Sequence, residues 1–493
     1  MKRFFHWLII FPFLLTACGT VAPPVASSSS QLPYLLVTAR PDASATPTPF
    51  QPSLPTPTGE LPVYPTYTPS PTPPATNTPF PSPTPTLDLS GLYAPNESLP
   101  SFNPSGDVPS QAQLENDRDT INFLLIGSDK RPGGSFRTDT MIVVILRPKE
   151  KQVSMISIPR DLWVYIPGWG MQRVNTAYQH GELVGYPGAG PGLLRDTILY
   201  NLGIRIDHTA MVEFDGFRRI VDTLGGIDVP VSCPYTDWHL IDPSLDPYNE
   251  NNWSLLTVGP GIVHMDGDLG LWYARSRMKS SDFDRGRRQQ ETLRAIYNQA
   301  LSTNTLGKIP QLYNDLSSSV VTDLNLPDIL QLALLAPQFT NADIRSYYIR
   351  PPVVRSWISD AGAYLLLPNQ PALQNLIQEA ISPSVRAQQR ARIIVEVQNG
   401  TAINGLDVLA ATRLNYAGYE TRIIPPDRQD YGYSVVLDYH ATPDATQNAA
   451  LMAVLGLSPN YIVSQPNPES QAAYRLVIGS DYQSCFKPEN LAH

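Results

Sequence analysis

The sequence predicts an α/β chain with one large and one small α/β domain behind a disordered, Pro/Thr-rich N-terminal stalk. Three observations carry this. Three short apolar runs, "INFLLIG", "TMIVVIL" and "VSMISI", follow one another between residues 121 and 158, parted by polar or glycine-bearing breaks. "SDFDRGRRQQETLRAIYNQAL" reads as a helix. "RIIVEVQNGTAINGLDVLAATRLNYAGYETRII" reads as strand, Asn-Gly loop, helix and second strand, with Gly418 as the helix stop.

Taken in order, the chain opens with Lys2 and Arg3 and an apolar run over residues 4–15, too short to span a bilayer, so it reads as an export signal. Leu15-Thr16-Ala17-Cys18 resembles the bacterial lipobox, which makes residues 1–18 a signal and Cys18 the lipidation site. The mature protein is expected to be extracytoplasmic, lipid-anchored to the outer face of the cell membrane. Residues 19–115 hold much of the chain's total of 50 prolines, with Thr and Ser between them. Proline fixes φ and removes a donor, so this linker builds no core. It extends at ~3.1 Å per residue, a reach on the order of 100 Å. Folded domains are expected over residues 116–384 and 391–490. Cys233 and Cys485 fall in different domains, so a disulfide between them is not expected, and the cysteine count excludes a cysteine metal site.

The polar turn "RPKEKQ" makes the second and third runs an antiparallel hairpin. If the first pair, joined by the loop "GGSFRTD", is antiparallel too, Asp129, Arg137, Asp139 and Arg160 gather on one rim of the sheet, where sites are usually built. "LWYARSR" reads as a strand, which would project Arg275 and Arg277 from one face. In the helix that follows, Asp282, Arg285, Arg288 and Gln289 share a stripe, whereas Arg287 lies off it and can pair with Glu291. Residues 301–381 read as helical with one strand near "IRSYYIR".

The chain has a formal net charge of −9, yet it collects Arg275, Arg277, Lys279, Arg285, Arg287 and Arg288 in one stretch. The planar guanidinium fork suits phosphate oxygens. Asp129 and Asp139 suit a divalent cation, because Mg²⁺ takes one or two carboxylates plus substrate phosphate oxygens. Together they would stabilise charge developing in phosphoryl transfer. From spacing alone, an Asp/Arg surface network without a ligand stays open. Net acidity and the lack of a repeat of basic and stacking aromatic residues argue against nucleic acid. His180 in "AYQHG" reads as structural, which leaves the general base open between Asp129, Asp139 and a metal-activated hydroxyl.

"FLLIGSDKR…FRTDTMIVVIL…VSMISIPRDLWVYIPG…RVNTAYQHG…VEFDGFRRIVDTLGGIDV…MDGDLGLWYARSRM…SDFDRGRRQQ" resembles, in order and spacing, the LytR-CpsA-Psr family over about residues 120–300. That resemblance implies an α-β-α sandwich with a mainly antiparallel mixed central sheet. It implies an enzyme that moves polyprenyl-pyrophosphate-linked glycopolymers onto peptidoglycan, keeps the phosphate at the new bond and releases polyprenyl phosphate. The metal implied is Mg²⁺, with Mn²⁺ the alternative, at Asp129 and Asp139. The pyrophosphate would meet Arg137, Arg160, Arg275, Arg277, Arg285 and Gln289. Arg160, Arg275, Arg277 and Asp139 would carry catalysis, and Asp282 and Arg288 would support the arginines. An apolar tunnel would hold the lipid tail. Thr138 stands where Ser is more usual, and the long stalk departs from relatives held by a membrane helix. Residues 392–477 resemble the LytR C-terminal domain, for which a wall-binding or positioning role is expected. The same site would serve a polyprenyl-pyrophosphate hydrolase, and a non-catalytic binder of anionic wall polymers is the alternative from another class.

Overall fold

The computed structural model describes residues 89–93, 102, 108–112, 119–130, 136–242, 244–302, 307, 309–316, 319–383 and 392–485. The expected signal, Cys18 and most of the stalk lie outside them.

The larger domain is built on a six-stranded mixed sheet. Its strands are β1 (Ile121–Lys130), β2 (Phe136–Arg147), β3 (Gln152–Ser157), β4 (His208–Glu213), β5 (Val320–Thr322) and β6 (Ile344–Tyr348). The spatial order is β5-β4-β1-β2-β3-β6. The three leading strands pair antiparallel, as the short breaks between them require, while β4 and β6 add in parallel. Alternate residues feed two cores. Val143 and Ile145 pack with α1 (Ala189–Leu202) and with the later helix Gln370–Ile381. Ile142 and Met155 face the opposite side, against Leu293 and Tyr297. Helices therefore cover both faces, the expected α-β-α sandwich.

Four expectations need correction. "LWYARSR" is not a strand: it ends a helix, α2 (Gly267–Arg275), and then a loop. Asp266 caps that helix, its side chain accepting from Leu269 N, and Trp272 and Tyr273 are buried. A short apolar run looks the same in a buried helix as in a strand, and the Asp cap was the signal that separates them. Residues 354–368 form a hairpin, Val354–Ile358 with Tyr364–Pro368, where helix was expected. The linker does not run loose up to residue 115: Leu92 is fully buried against Ile121, Leu335 and Phe339, and Tyr200 Oη donates to Pro109 O (2.7 Å). Finally, Cys233 and Cys485 are joined by a disulfide, because the C-terminal domain docks where the first domain carries Cys233.

That second domain is a small α/β unit. Ile394–Asn399 runs parallel to Glu420–Ile424 and Tyr474–Ile478 in a five-stranded mixed sheet. The helix between the first two, Leu406–Tyr416, ends before Gly418, whose φ of 86° only glycine adopts easily. Tyr416 reaches the first domain, with the Arg294 guanidinium 4.0 Å above its ring.

Candidate active site

The site forms on the rim where β1 ends and β2 begins. The register between these strands slips at Gly127/Ser128: Gly127 pairs with Thr140 and Ser128 with Thr138, leaving Asp139 as the extra residue of a bulge. A bulge releases a side chain from strand alternation and re-aims it. Here Asp139 Oδ1 takes a hydrogen bond from Arg160 Nη1 (2.9 Å). Arg160 follows the end of β3, as expected from the hairpin.

Helix α3 (Asp282–Ser302) supplies the opposite wall. Asp282 Oδ2 lies 3.3 Å from Arg160 Nε, and its Oδ1 lies 3.4 Å from Arg285 Nη1 and 3.7 Å from Arg277 Nη1. Arg285 Nη2 also donates to the Asp139 carbonyl (3.3 Å). Gln289 bridges the walls, donating to Thr140 Oγ1 (2.7 Å) and to Ala274 O (3.2 Å). Asp139, Arg160, Arg277, Asp282 and Arg285 thus form one cluster of contacts, while Gln289 bonds Thr140 and Ala274 beside it. Arg275, at the end of α2, is exposed and stacks on the Phe214 ring at 4.3 Å.

Burial works against the charge of Arg160, but its hydrogen bond to Asp139 and the charges of Asp139, Asp282 and Asp161 outweigh it, so its pKa lies above the ordinary value. Arg285 goes the other way. Burial lowers its pKa most; Asp282 and Asp139 pull it up, while Arg160 and Arg277 push it down. Burial, not a surplus of neighbouring cations, is thus what disfavours the charged form of Arg285, and an anion reaching its fork would restore part of the lost solvation.

The remaining expected residues sort clearly. Arg288 is fully buried: it donates to Tyr273 O, Ser276 O (2.5 Å) and Asp284 Oδ2 (3.1 Å), and lies 4.0 Å over the Tyr235 ring. It braces the loop carrying Arg277 and presents nothing to the rim. Arg287 bonds Glu291 (2.5 Å) and Asp284 (2.8 Å). His180 stacks on Trp169, ring centroids 3.8 Å apart. Asp129 and Arg137 are Cα partners across β1 and β2, and their side chains lie outside the described residues.

Sequence reasoning missed two participants. Asp161 accepts from Arg160 Nε and Arg173 Nη1, both at 3.4 Å. Asp237 is wholly buried and accepts from Met278 N (2.9 Å) and Tyr235 Oη (2.8 Å), so it fixes the loop between Arg277 and α3. Asp161 directly follows Arg160 and could have been read from that pairing. Asp237 carried no such signal.

The model of the LytR_cpsA_psr family matches residues 94–381, more than half of the chain. The chain belongs to this family. A second model, LytR cell envelope-related transcriptional attenuator, matches residues 392–482. The chain is 33% identical over 224 residues to the polyisoprenyl-teichoic acid–peptidoglycan teichoic acid transferase TagU of Oceanobacillus iheyensis, covering 45% of this chain and 64% of that protein. It is 34% identical over 216 residues to the probable cell wall biosynthesis protein LcpB of Corynebacterium glutamicum, covering 41% of this chain and 46% of that one. The match thus spans less than two thirds of either relative. Among solved structures, B. subtilis TagV aligns with a TM-score of 0.44 at 27% identity, over 54% of this chain and 98% of that one.

A half-open pocket of about 330 Å³ has Ile126, Met211 and Val321 in its wall, together with the polar Thr209, Thr322, Arg195 and Asp323. No helix among the described residues is long and apolar enough to cross a membrane. Nor do they include a cluster of three or more acidic, His or Cys side chains able to hold a metal alone.

Proposed function

We propose that this chain is an extracytoplasmic phosphotransferase that moves a polyprenyl-pyrophosphate-linked glycopolymer onto cell-wall peptidoglycan and releases polyprenyl phosphate. The observation that carries this reading is the Asp139–Arg160–Asp282–Arg285 cluster, with the exposed Arg277 on the same Asp282 carboxylate. The names of TagU-like relatives support the substrate class. The apolar part of the pocket wall, Ile126, Met211 and Val321, supports a lipid-bearing donor.

In the reaction, an acceptor hydroxyl oxygen attacks the phosphorus that bears the glycopolymer. The bond from that phosphorus to the bridging oxygen breaks, and polyprenyl phosphate departs with the electron pair. Arg160 and Arg285 neutralise the charge that gathers on the phosphate oxygens, with Arg277 and Arg275 at the exposed side. Asp282, touching three arginines, keeps their forks apart and aimed. Asp139 has one carboxylate oxygen on Arg160, and its other oxygen is the candidate acceptor for the hydroxyl proton.

The donor set fits Mg²⁺, or Mn²⁺ as the alternative. Asp139, with only one carboxylate oxygen on Arg160, is a hard oxygen donor on a rim with phosphate-binding arginines, and Mg²⁺ binds through one or two carboxylates plus substrate oxygens. Asp139 and Asp129 would hold the ion, which would supply further neutralisation of the pyrophosphate. Lipid anchoring at Cys18 completes the reading.

The test uses the chain with a polyprenyl-pyrophosphate-linked sugar and Mg²⁺, and reads polyprenyl-phosphate release. Peptidoglycan fragments should stimulate release, and Arg160→Ala and Asp139→Ala should each lower it at least about 100-fold. Release indifferent to acceptor would make the enzyme a hydrolase. Tight binding without release would make it a receptor.

A further inference from the structure

The hairpin formed by Tyr235–Leu240 and Trp253–Val258 has two faces, and only one serves the site. The strands pair antiparallel with Thr236 opposite Thr257, Trp238 opposite Leu255 and Leu240 opposite Trp253, so these three pairs share the outer face. The inner face is occupied: Tyr235, Asp237 and Val258 are buried, and Asp237 holds the arginine loop through Met278 N. Outside, Trp238 is 38% exposed and Leu255 53% exposed. In the connecting loop Tyr248 is 93% exposed, and Trp253 Nε1 donates to Pro247 O (3.0 Å), which fixes the loop that presents it.

Within the hairpin and its connecting loop the charge is of one sign. No Lys or Arg occurs between Arg219 and Arg275, while Asp242, Asp246 and Glu250 lie in the connecting loop. Such a surface repels a phosphate-rich polymer. It also lacks the Lys and Arg by which a face holds an anionic bilayer. An uncharged sugar chain meets neither objection. The C–H faces of its rings pack on indole and phenol rings, and its hydroxyls donate to the Asp, Asn and Thr oxygens alongside.

We infer that the outer face of this hairpin binds an uncharged oligosaccharide chain, the acceptor glycan of the transfer proposed above. The acceptor role rests on that reading; the saccharide binding does not. The same two strands hold the Arg277 loop from one face and carry Trp238 and Trp253 on the other, so acceptor and pyrophosphate would be handled by one rigid unit.

The experiment titrates the full chain with chitotetraose, an uncharged N-acetylglucosamine oligomer, and follows tryptophan fluorescence and heat. Saturable binding is expected, weakened at least about tenfold by Trp238→Ala and by Tyr248→Ala. Tyr248 is too exposed for its loss to unfold the domain. Trp238→Ala keeps the backbone carbonyl that accepts from Trp272 Nε1 (2.7 Å). The inference is overturned by absence of saturable binding, or by affinity unchanged in both variants. It is also overturned if the two side chains control sedimentation with phosphatidylcholine vesicles or self-association instead. Saccharide binding without polyprenyl-phosphate release keeps the platform and removes the transfer reading. Acceptor-stimulated release without saccharide binding does the reverse.

Discussion

Arg285 and Arg294 are carried by the same helix, α3, and both are withdrawn from water, at 6% and 2% exposure. Burial is the main cause lowering the pKa of each. Their partners differ. Arg285 makes long contacts, 3.4 Å to Asp282 and 3.3 Å to the Asp139 carbonyl, beside an open rim. Arg294 donates to Ile344 O (2.7 Å), Asn341 O (3.1 Å) and Ser346 Oγ (3.1 Å), and Tyr416 of the second domain closes over it. A guanidinium has five donors in a fixed fork. Spent on backbone carbonyls and roofed by a ring, the fork builds structure; held loosely beside carboxylates, it remains able to take phosphate oxygens.

The sharpest way to break this contrast is to remove each arginine in turn. Arg285→Ala should cut polyprenyl-phosphate release at least about 100-fold while changing unfolding free energy by less than about 1 kcal/mol. Arg294→Ala should cost about 2–4 kcal/mol, because buried carbonyls of Asn341 and Ile344 lose their donor, and should leave the rate of the folded enzyme within about threefold. Paired denaturation and release assays read both. Should Arg285→Ala prove mainly destabilising and normally active, Arg285 leaves the site.

A smaller effect tests the roof itself. Tyr416→Leu keeps an apolar body but removes the ring beneath the guanidinium, at a cost of about 1–2 kcal/mol. Amide exchange should quicken over residues 341–346, whose carbonyls Arg294 holds, with no change around Asp282. If exchange there stays as in the parent chain, the second domain is attached by the disulfide and does not brace α3.

The two ends of α3 were not equally legible in the sequence. The rim was, because the polar turn makes the second and third runs a hairpin, and with the first pair taken as antiparallel too, Asp129, Arg137, Asp139 and Arg160 fall on one edge. The helical stripe placed Asp282, Arg285 and Gln289 correctly on the same wall. It also placed Arg288 on the stripe, where the structure shows a fully buried brace, since spacing gives a face but not what covers it. The bulge at Asp139 was invisible, because it depends on register across two strands. The other end of α3 was not legible: Arg294 meets Tyr416 across more than a hundred residues of chain, and no local pattern announces a domain contact. The Cys233–Cys485 bond was missed for the same reason, as domain docking decides it. The α2 segment failed differently, through an Asp cap that outweighed an apolar run.

The contrast extends from guanidinium to imidazole, with the smallest expected effect. His208 bonds Leu92 O through Nε2 (2.7 Å) and lies 3.4 Å from Asp323 through Nδ1, so its ring is spent on pinning the end of the stalk. Burial opposes its charge, but the hydrogen bonds to Asp323 and to the Leu92 carbonyl, with the charge of Asp323, raise its pKa above the ordinary 6.5. For Asp323 burial acts upward, but its bonds to His208 and Thr209 prevail and depress its pKa below 3.8. The histidine contribution is therefore full below about pH 6.5 and is lost as pH rises through its raised folded value. The aspartate contribution is present above about pH 4 and fades as pH falls through its depressed value. Protection of the residue 90–92 amides should peak between those limits, and His208→Ala should abolish the upper slope at a cost below about 1 kcal/mol, given solvent screening. Because this ring is already spent, polyprenyl-phosphate release should keep its pH profile in His208→Ala. A shifted profile would mean that a fully partnered group reaches the reacting phosphate, and the rule separating Arg285 from Arg294 would fail there.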